Sequence, residues 1–195
     1  SKDLVARHET INLWKKVIVA IIPAAILGLL FDDTIDAMFY NPVTVAVMLI
    51  VYGILFIVIE NRHRFPYYRN LEQLDYKTAF LIGCFQSLAL IPGTSRSGAT
   101  IVGALLLGTA RPVAAEFSFF MAIPTMLGAS ALKLLKAGLA FTTAEWMLLL
   151  LGSVVSFAVS VFAIKFLMSY IQQHDFKVFG YYRIILGILL LLYFV

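Results

Sequence analysis

The 195-residue sequence is poor in charge and in cysteine. Charged residues make up only 13% of the chain, against about 25% in ordinary soluble domains, and apolar residues make up 62%. A soluble domain of this size cannot bury so many apolar side chains, which excludes a cytosolic enzyme and a disordered chain. A single cysteine, Cys84, permits no intramolecular disulfide and excludes a disulfide-rich secreted module. The composition predicts an integral membrane protein.

Five apolar segments predict membrane-spanning helices, each of which needs about 20 residues. The first sixteen residues precede them as a polar N-terminal segment, and an acidic cluster, Asp32, Asp33 and Asp36, is expected to end the first span. The chain is therefore predicted to be an all-α integral membrane protein, a polytopic helical bundle that forms a single membrane domain over residues 1–195. The predicted spans cover residues 17–31, 43–59, 113–135, 145–166 and 181–195.

The formal net charge of +4 comes from 15 basic and 11 acidic residues. In a membrane protein, basic residues between spans set the orientation, so no nucleic-acid partner is expected. The basic residues place the N-terminal segment and the 60–77 loop on the cytoplasmic side. The aromatic pair Tyr67 and Tyr68, together with Arg183, is expected at the membrane interface. The residues that support this orientation include Arg62, His63, Arg64, Arg111 and Lys177.

Two shorter apolar segments, residues 78–91 and 99–110, flank the stretch Pro92-Gly-Thr-Ser-Arg-Ser-Gly98. Each segment is too short to cross a membrane comfortably. Non-helical backbone occurs at membrane depth only where protein buries it or where it lines a wet cavity. The pattern favours a re-entrant helix pair over residues 78–110, and the alternative is an ordinary loop between two short surface helices.

The stretch between these segments is rich in hydrogen-bond donors and contains no acid. Arg96 offers a planar fork for phosphate oxygens, and an arginine at membrane depth is usually functional. The second short helix is expected to begin near Gly98, so its free N–H groups point into the loop. This combination predicts an anion site, with phosphate as the expected ligand. Its other residues are Gly93 and Gly98, which allow close backbone approach, and Thr94, Ser95, Ser97 and Thr100, which add hydroxyls.

The segment from Gln86 to Thr100, QSLALIPGTSRSGAT, resembles the second signature of the bacterial undecaprenyl-diphosphate phosphatases, the bacitracin-resistance family. The segment from Arg111 to Pro124, RPVAAEFSFFMAIP, is also similar to that family. The resemblance implies an inverted-repeat architecture with one re-entrant hairpin in each repeat. Residues 17–60 would then hold two spans of the first repeat, and residues 76–195 would form the second.

The resemblance also implies a function. Members of the family remove the terminal phosphate of undecaprenyl diphosphate, which returns the lipid carrier to peptidoglycan synthesis in the bacterial inner membrane. By this likeness, Ser95, Arg96, Ser97 and Thr100 are expected to be catalytic, and Gly93, Thr94, Gly98 and Gln86 are expected to bind the substrate phosphate. A polyprenyl diphosphate substrate, membrane lipids, a divalent cation (Mg²⁺ or Ca²⁺) and a homodimer are the expected partners.

The first signature of the family, a glutamate-rich stretch followed by a Pro-Val-Ser-Ser-Thr-Gly-His type sequence, has no counterpart here. The three histidines, His8, His63 and His174, lie in polar stretches. The chain is therefore expected to begin after the hairpin of the first repeat, with most cation ligands outside it. Two other functions remain open: a transporter or flippase of an anionic lipid or small anion, and a fragment inactive by itself.

Two further polar residues lie within apolar segments. Gln86 is expected to bond the loop or the diphosphate, or to join two helices. Glu116 is the one acid well inside the apolar region after Arg111. It is a weak candidate metal ligand, and an ion pair with Arg111 is the favoured interpretation.

Overall fold

The computed structural model describes residues 2–61, 65–137 and 141–194 of the chain, so Arg62, His63 and Arg64 lie outside the described residues. Helices dominate the described ranges, and those ranges contain no β-strand. The all-α prediction is confirmed. The helices are α1 (Lys2–Phe39), α2 (Pro42–Asn61), α3 (Tyr76–Ser87), α4 (Arg96–Leu106), α5 (Arg111–Ala137), α6 (Thr143–Gln173) and α7 (Lys177–Phe194), with short 3-10 turns at Leu71–Gln73 and Leu88–Leu90.

Five of the described helices are long and apolar enough to cross a membrane, which confirms the polytopic prediction. Each of the five predicted spans coincides with one of them, because the length of an apolar run is the main requirement for a span. The spans cover Arg7–Phe31, Pro42–Asn61, Arg111–Lys136, Thr143–Tyr170 and Lys177–Phe194.

Helix α1 is longer than the sequence predicts. It runs for 38 residues, through the polar N-terminal segment and on past the acidic cluster to Phe39. The predicted end of the first span at the acidic cluster is confirmed, because the apolar run stops at Phe31. The helix itself continues, because exposed acidic side chains such as those of Asp33 and Asp36 leave its backbone hydrogen bonds intact. The change of direction comes at Asn41-Pro42, where Asn41 Oδ1 accepts a hydrogen bond from Thr44 N at 2.8 Å and so caps α2.

Helices α1 and α3 pack closely and run in the same direction. A Cβ atom on Gly83 would lie 1.8 Å from the carbonyl oxygen of Ala20, so glycine is required at this crossing. Nearer the start of α3, the buried Lys16 donates from Nζ to Glu72 O at 2.9 Å. Tyr76 donates from its hydroxyl to Asn12 Oδ1 at 2.6 Å. The early part of α1 and the 60–77 loop therefore share one end of the bundle, as the charge pattern predicts.

Helices α2 and α7 form the second close pair, and they are antiparallel. A Cβ atom on Gly53 would lie 2.7 Å from Gly180 O, and one on Gly187 would lie 2.7 Å from Ala46 O. Small residues thus let the two backbones approach, as in many membrane helix pairs. The pairing brings the start of α7 beside the end of α2.

Candidate functional site

The short helix α3 begins, and the short helix α4 ends, at the same end of the bundle. Tyr68 lies there and contacts the start of α3 and the segment that follows α4. The Tyr68 hydroxyl lies 3.0 Å from Thr78 Oγ1 in the first turn of α3. The Tyr68 carbonyl accepts a hydrogen bond from Ala110 N, just after α4, at 2.8 Å. Residues 76–110 are therefore a re-entrant helix pair, here called the hairpin, and its tip is the non-helical segment 91–95.

Helix α4 begins earlier than expected. The sequence predicts a start near Gly98, whereas the structure starts the helix at Arg96 with Ser95 as its N-cap. Ser95 Oγ accepts a hydrogen bond from Gly98 N at 3.1 Å, which is the usual role of a serine in this position. Arg96, Ser97 and Gly98 consequently form the first turn. Gly98 N donates to Ser95 Oγ, which leaves the N–H groups of Arg96 and Ser97 without an intrahelical acceptor at the tip.

Arg96 lies at this helix start with unused donors. Its Nε and Nη1 atoms are buried and have no hydrogen-bond partner among the described residues. The same is true of Thr94 Oγ1 in the tip. A buried polar atom without a partner costs about 1–3 kcal/mol, so such atoms call for a ligand or a water. Donors on Arg96 and on the adjacent helix N-terminus suit an anionic group.

Gly93 lies at the most constrained point of the tip. Its φ of 87° falls in the left-handed region, which favours glycine. A Cβ atom there would lie 2.5 Å from the carbonyl oxygen of Val45 in α2. The tip is thus pressed against α2, and only a residue without a side chain fits.

Arg183 is a site residue that the sequence prediction missed. It was expected at the membrane interface, but it donates from Nη2 to Gly93 O at 2.8 Å, and its buried Nε has no partner among the described residues. Its guanidinium carbon lies 5.9 Å from the centre of the Tyr52 ring, in range of a cation–π contact. The signal in the sequence was an arginine inside an apolar helix, which is expensive and usually functional.

Gln86 and Thr100 serve contacts between helices. Gln86 is 2% exposed and donates from Nε2 to Thr125 Oγ1 in α5 at 3.3 Å, while its Oε1 has no partner among the described residues. Thr100 is 1% exposed and shares a hydrogen bond of 2.7 Å with Ser118 Oγ in α5. The Thr100 hydroxyl also reaches the Arg96 carbonyl at 2.9 Å. Thr100 therefore holds the first turn of α4 against α5, whereas Ser97 in that turn is partly exposed.

The expected pairing of Arg111 with Glu116 is not observed. Glu116 is exposed, and Arg111 forms an ion pair with the buried Glu60, 51 residues earlier. Arg111 Nε donates to both carboxylate oxygens, at 3.0 and 2.8 Å. Glu60 also accepts from Phe176 N at 3.3 Å, so this one carboxylate joins α2, α5 and the start of α7. The sequence could not reveal a partner this distant along the chain.

The residues of the tip do not fit a divalent cation. Hard cations take oxygen ligands, mainly carboxylates and carbonyls, whereas Arg96, Arg183 and the α4 N-terminus present donors. Within the described ranges, no group of three or more His, Cys, Asp or Glu side chains could hold a metal ion. The described residues of the tip are suited to an anionic group.

Comparison with known proteins identifies the family of the chain. The chain matches the family model described as bacitracin resistance protein BacA over residues 1–189. It is 62% identical over 194 residues to undecaprenyl-diphosphatase 1 of Clostridioides difficile (strain 630), an alignment that covers 100% of this chain and 71% of that relative.

Two further relatives give the same result. The undecaprenyl-diphosphatase of Enterococcus faecalis is 63% identical over 190 residues, with 96% of this chain and 69% of the relative covered. That of Acetivibrio thermocellus is 60% identical over 190 residues, with 96% and 70% covered. The chain spans roughly seven tenths of the length of these relatives. The family match and these identities show that the chain belongs to the bacitracin resistance protein BacA family.

Proposed function

We propose that this chain hydrolyses undecaprenyl diphosphate to undecaprenyl phosphate and inorganic phosphate, and so recycles the lipid carrier for peptidoglycan synthesis. The observation that carries the proposal is the pair of buried, unpartnered Arg96 donors at the N-terminus of α4. They lie in a hairpin among membrane-spanning helices, so the expected anion is a phosphate attached to a lipid. Relatives named undecaprenyl-diphosphatase, at 60–63% identity, support the same substrate.

The reaction breaks the bond between the terminal phosphorus and the bridging oxygen of the diphosphate. A water oxygen forms the new bond to that phosphorus, the electron pair of the broken bond stays on undecaprenyl phosphate, and the water protons pass to solvent. Charge spreads over the equatorial oxygens in the transition state, so fixed donors there lower the barrier. In this proposal Arg96 and the N–H groups of the first turn of α4 bind those oxygens.

The other hairpin residues would act by holding these donors in place. Ser95 caps the first turn through its bond to Gly98 N, and Thr100 fixes that turn against Ser118. Arg183 would hold the tip through Gly93 and offer its free Nε to the diphosphate. In this proposal the partly exposed Ser97 hydroxyl and the unpartnered Thr94 hydroxyl of the described tip contact the substrate.

A divalent cation, a homodimer and a location in the bacterial inner membrane belong to the proposal as well. The family match and the five apolar spans support a multi-pass bacterial membrane protein. The described residues of the tip supply no ligands for a cation, so this part of the proposal rests on the family resemblance alone. Assays should therefore include Mg²⁺ or Ca²⁺.

The test is an assay of the chain in liposomes, with undecaprenyl diphosphate labelled at its terminal phosphate. The proposal predicts release of inorganic phosphate in a one-to-one ratio with undecaprenyl phosphate. Label that crosses the bilayer without phosphate release would favour a transporter or flippase. Folded chain that neither releases phosphate nor moves label would contradict the proposal.

A further inference from the structure

Tyr68 lies in the loop between α2 and α3, and the structure buries it. The sequence predicts two interfacial aromatic residues here, but only Tyr67 behaves so: its side chain is 80% exposed, whereas Tyr68 is 9% exposed. The two rings meet edge to face with centroids 4.8 Å apart. Neighbours of the same residue type thus occupy opposite environments, which makes Tyr67 a matched control for Tyr68.

The side chain of Tyr68 contacts the start of the hairpin. Its hydroxyl lies 3.0 Å from Thr78 Oγ1 and donates to Asp75 Oδ2 at 3.3 Å. Asp75 is the N-cap of α3, where its Oδ1 accepts from Thr78 N at 2.6 Å. The hydroxyl therefore belongs to the hydrogen-bond group that fixes the first turn of α3.

The backbone of Tyr68 contacts the other end of the hairpin. Its N–H donates to Gly108 O at 3.1 Å, its carbonyl accepts from Ala110 N at 2.8 Å, and the strand-like bridge between Tyr68 and Thr109 is parallel. Gly108 takes a φ of 89°, so the chain turns sharply to make this contact. One residue is thereby bonded to both ends of the hairpin.

We propose that Tyr68 is a positioning residue for the phosphate site, which sets how deep the hairpin tip lies between the spanning helices. Helices are stiff, so a shift at the base of α3 moves the tip by a similar amount. Displacements of about 1 Å can reduce the rate of a catalytic site by up to ~10²-fold. The effect on turnover rests on the proposed function, whereas the effect on depth does not.

The first test compares Tyr68→Phe with Tyr67→Phe. Tyr68→Phe removes only the hydroxyl that bonds Thr78 and Asp75, and we expect kcat for phosphate release to fall about tenfold with KM within about twofold. Tyr67→Phe removes an exposed hydroxyl and should leave both constants within about twofold. A Tyr68→Phe enzyme with unchanged kcat would overturn the proposal.

The second test measures depth directly. Cys84 is the single cysteine of the chain and is exposed on α3, so a spin label there reports the immersion of the hairpin. Oxygen dissolves in the bilayer and the nickel complex in water, so the accessibility of the label to each reports its depth. In Tyr68→Phe and in Thr78→Val, both accessibilities should differ from those in the labelled native chain. Adding Thr78→Val to Tyr68→Phe should cause a smaller change than Thr78→Val alone, because the bond between the two hydroxyls is already lost.

These readouts separate the two proposals. A changed depth in a chain that never releases phosphate would retain the positioning role and reject the phosphatase. Native depth in both Tyr68→Phe and Thr78→Val would overturn the positioning role, whatever the activity.

Discussion

Arg183 in α7 donates a hydrogen bond to the carbonyl oxygen of Gly93, 2.8 Å away and 90 residues earlier in the chain. This contact ties the last helix to the tip of the hairpin. Arg183 and Arg96 thus approach the same short segment from different helices, and each carries buried donors without a partner in the described part of the chain. Two such cations near one loop point to a ligand with more than one negative charge.

The role of Arg183 predicts a loss of turnover when its side chain is removed. Arg183→Ala deletes the bond to Gly93, and a hydrogen bond to a charged group is worth about 1.5–3 kcal/mol. Phosphate release should slow at least tenfold. Tyr182→Ala, an exposed neighbour on the same helix, should stay near the native rate. Native kcat in Arg183→Ala would remove this residue from the site.

The backbone conformation of Gly93 predicts that replacing this glycine with alanine destabilises the protein. Alanine at a φ of 87° is strained, and its Cβ would meet Val45 O at 2.5 Å, so Gly93→Ala should lower the free energy of unfolding by about 1–3 kcal/mol. Gly152→Ala is the control, because nothing lies within 4 Å of a Cβ atom there. Thermal unfolding in detergent would measure both. Equal stability of the two variants would contradict the tight fit of the tip.

The Glu60 carboxylate predicts a structural effect away from the tip. Glu60→Gln leaves Arg111 unpaired, and breaking a buried pair usually costs about 3–5 kcal/mol. The Arg111 side chain is 46% exposed and can be hydrated, so about 2 kcal/mol is expected. Asp175→Asn, which breaks the 3.6 Å surface pair with Lys177, should cost less than about 1 kcal/mol. Denaturant unfolding should rank the two in this order, and the reverse order would contradict it.

Asp75 predicts a dependence of stability on pH. The hydrogen bonds from Thr78, with a smaller one from Tyr68, hold the pKa of Asp75 below its ordinary value. Because the pKa is lowered by folding, the carboxylate stabilises the native state above its unfolded value of about 3.9. That contribution is lost as pH falls through the folded pKa. Asp75→Asn should therefore be less stable than the native chain at pH 7, and the gap should close in acid. A gap independent of pH would contradict this.

Local features of the sequence predict much of this structure. The five spans follow from the length of the apolar runs, and the hairpin follows from two short runs around Pro92–Gly98. Arg96 stood out because a cation at membrane depth is costly. Each of these signals lies within a few residues, so no knowledge of the packing was needed.

The main misses depend on contacts between distant segments. Glu60 and Arg111 are 51 residues apart, and Arg183 meets Gly93 across 90 residues. Tyr67 and Tyr68 are chemically equal neighbours, and what separates them is the contact of the Tyr68 hydroxyl with Asp75 and Thr78 in the next helix. The acidic cluster correctly marks the end of the first span at Phe31, although the helix itself continues to Phe39.

Phosphate release by Arg96 variants tests the central claim most directly. The account predicts that Arg96→Ala lowers kcat by at least ~10²-fold, as expected when a fixed donor to a transition-state oxygen is lost. Arg96→Lys, which keeps the charge but loses the planar fork, should fall between Arg96→Ala and the native enzyme. Arg7→Ala, which removes an exposed arginine of α1, should keep the native rate. Undiminished phosphate release by folded Arg96→Ala would contradict the account.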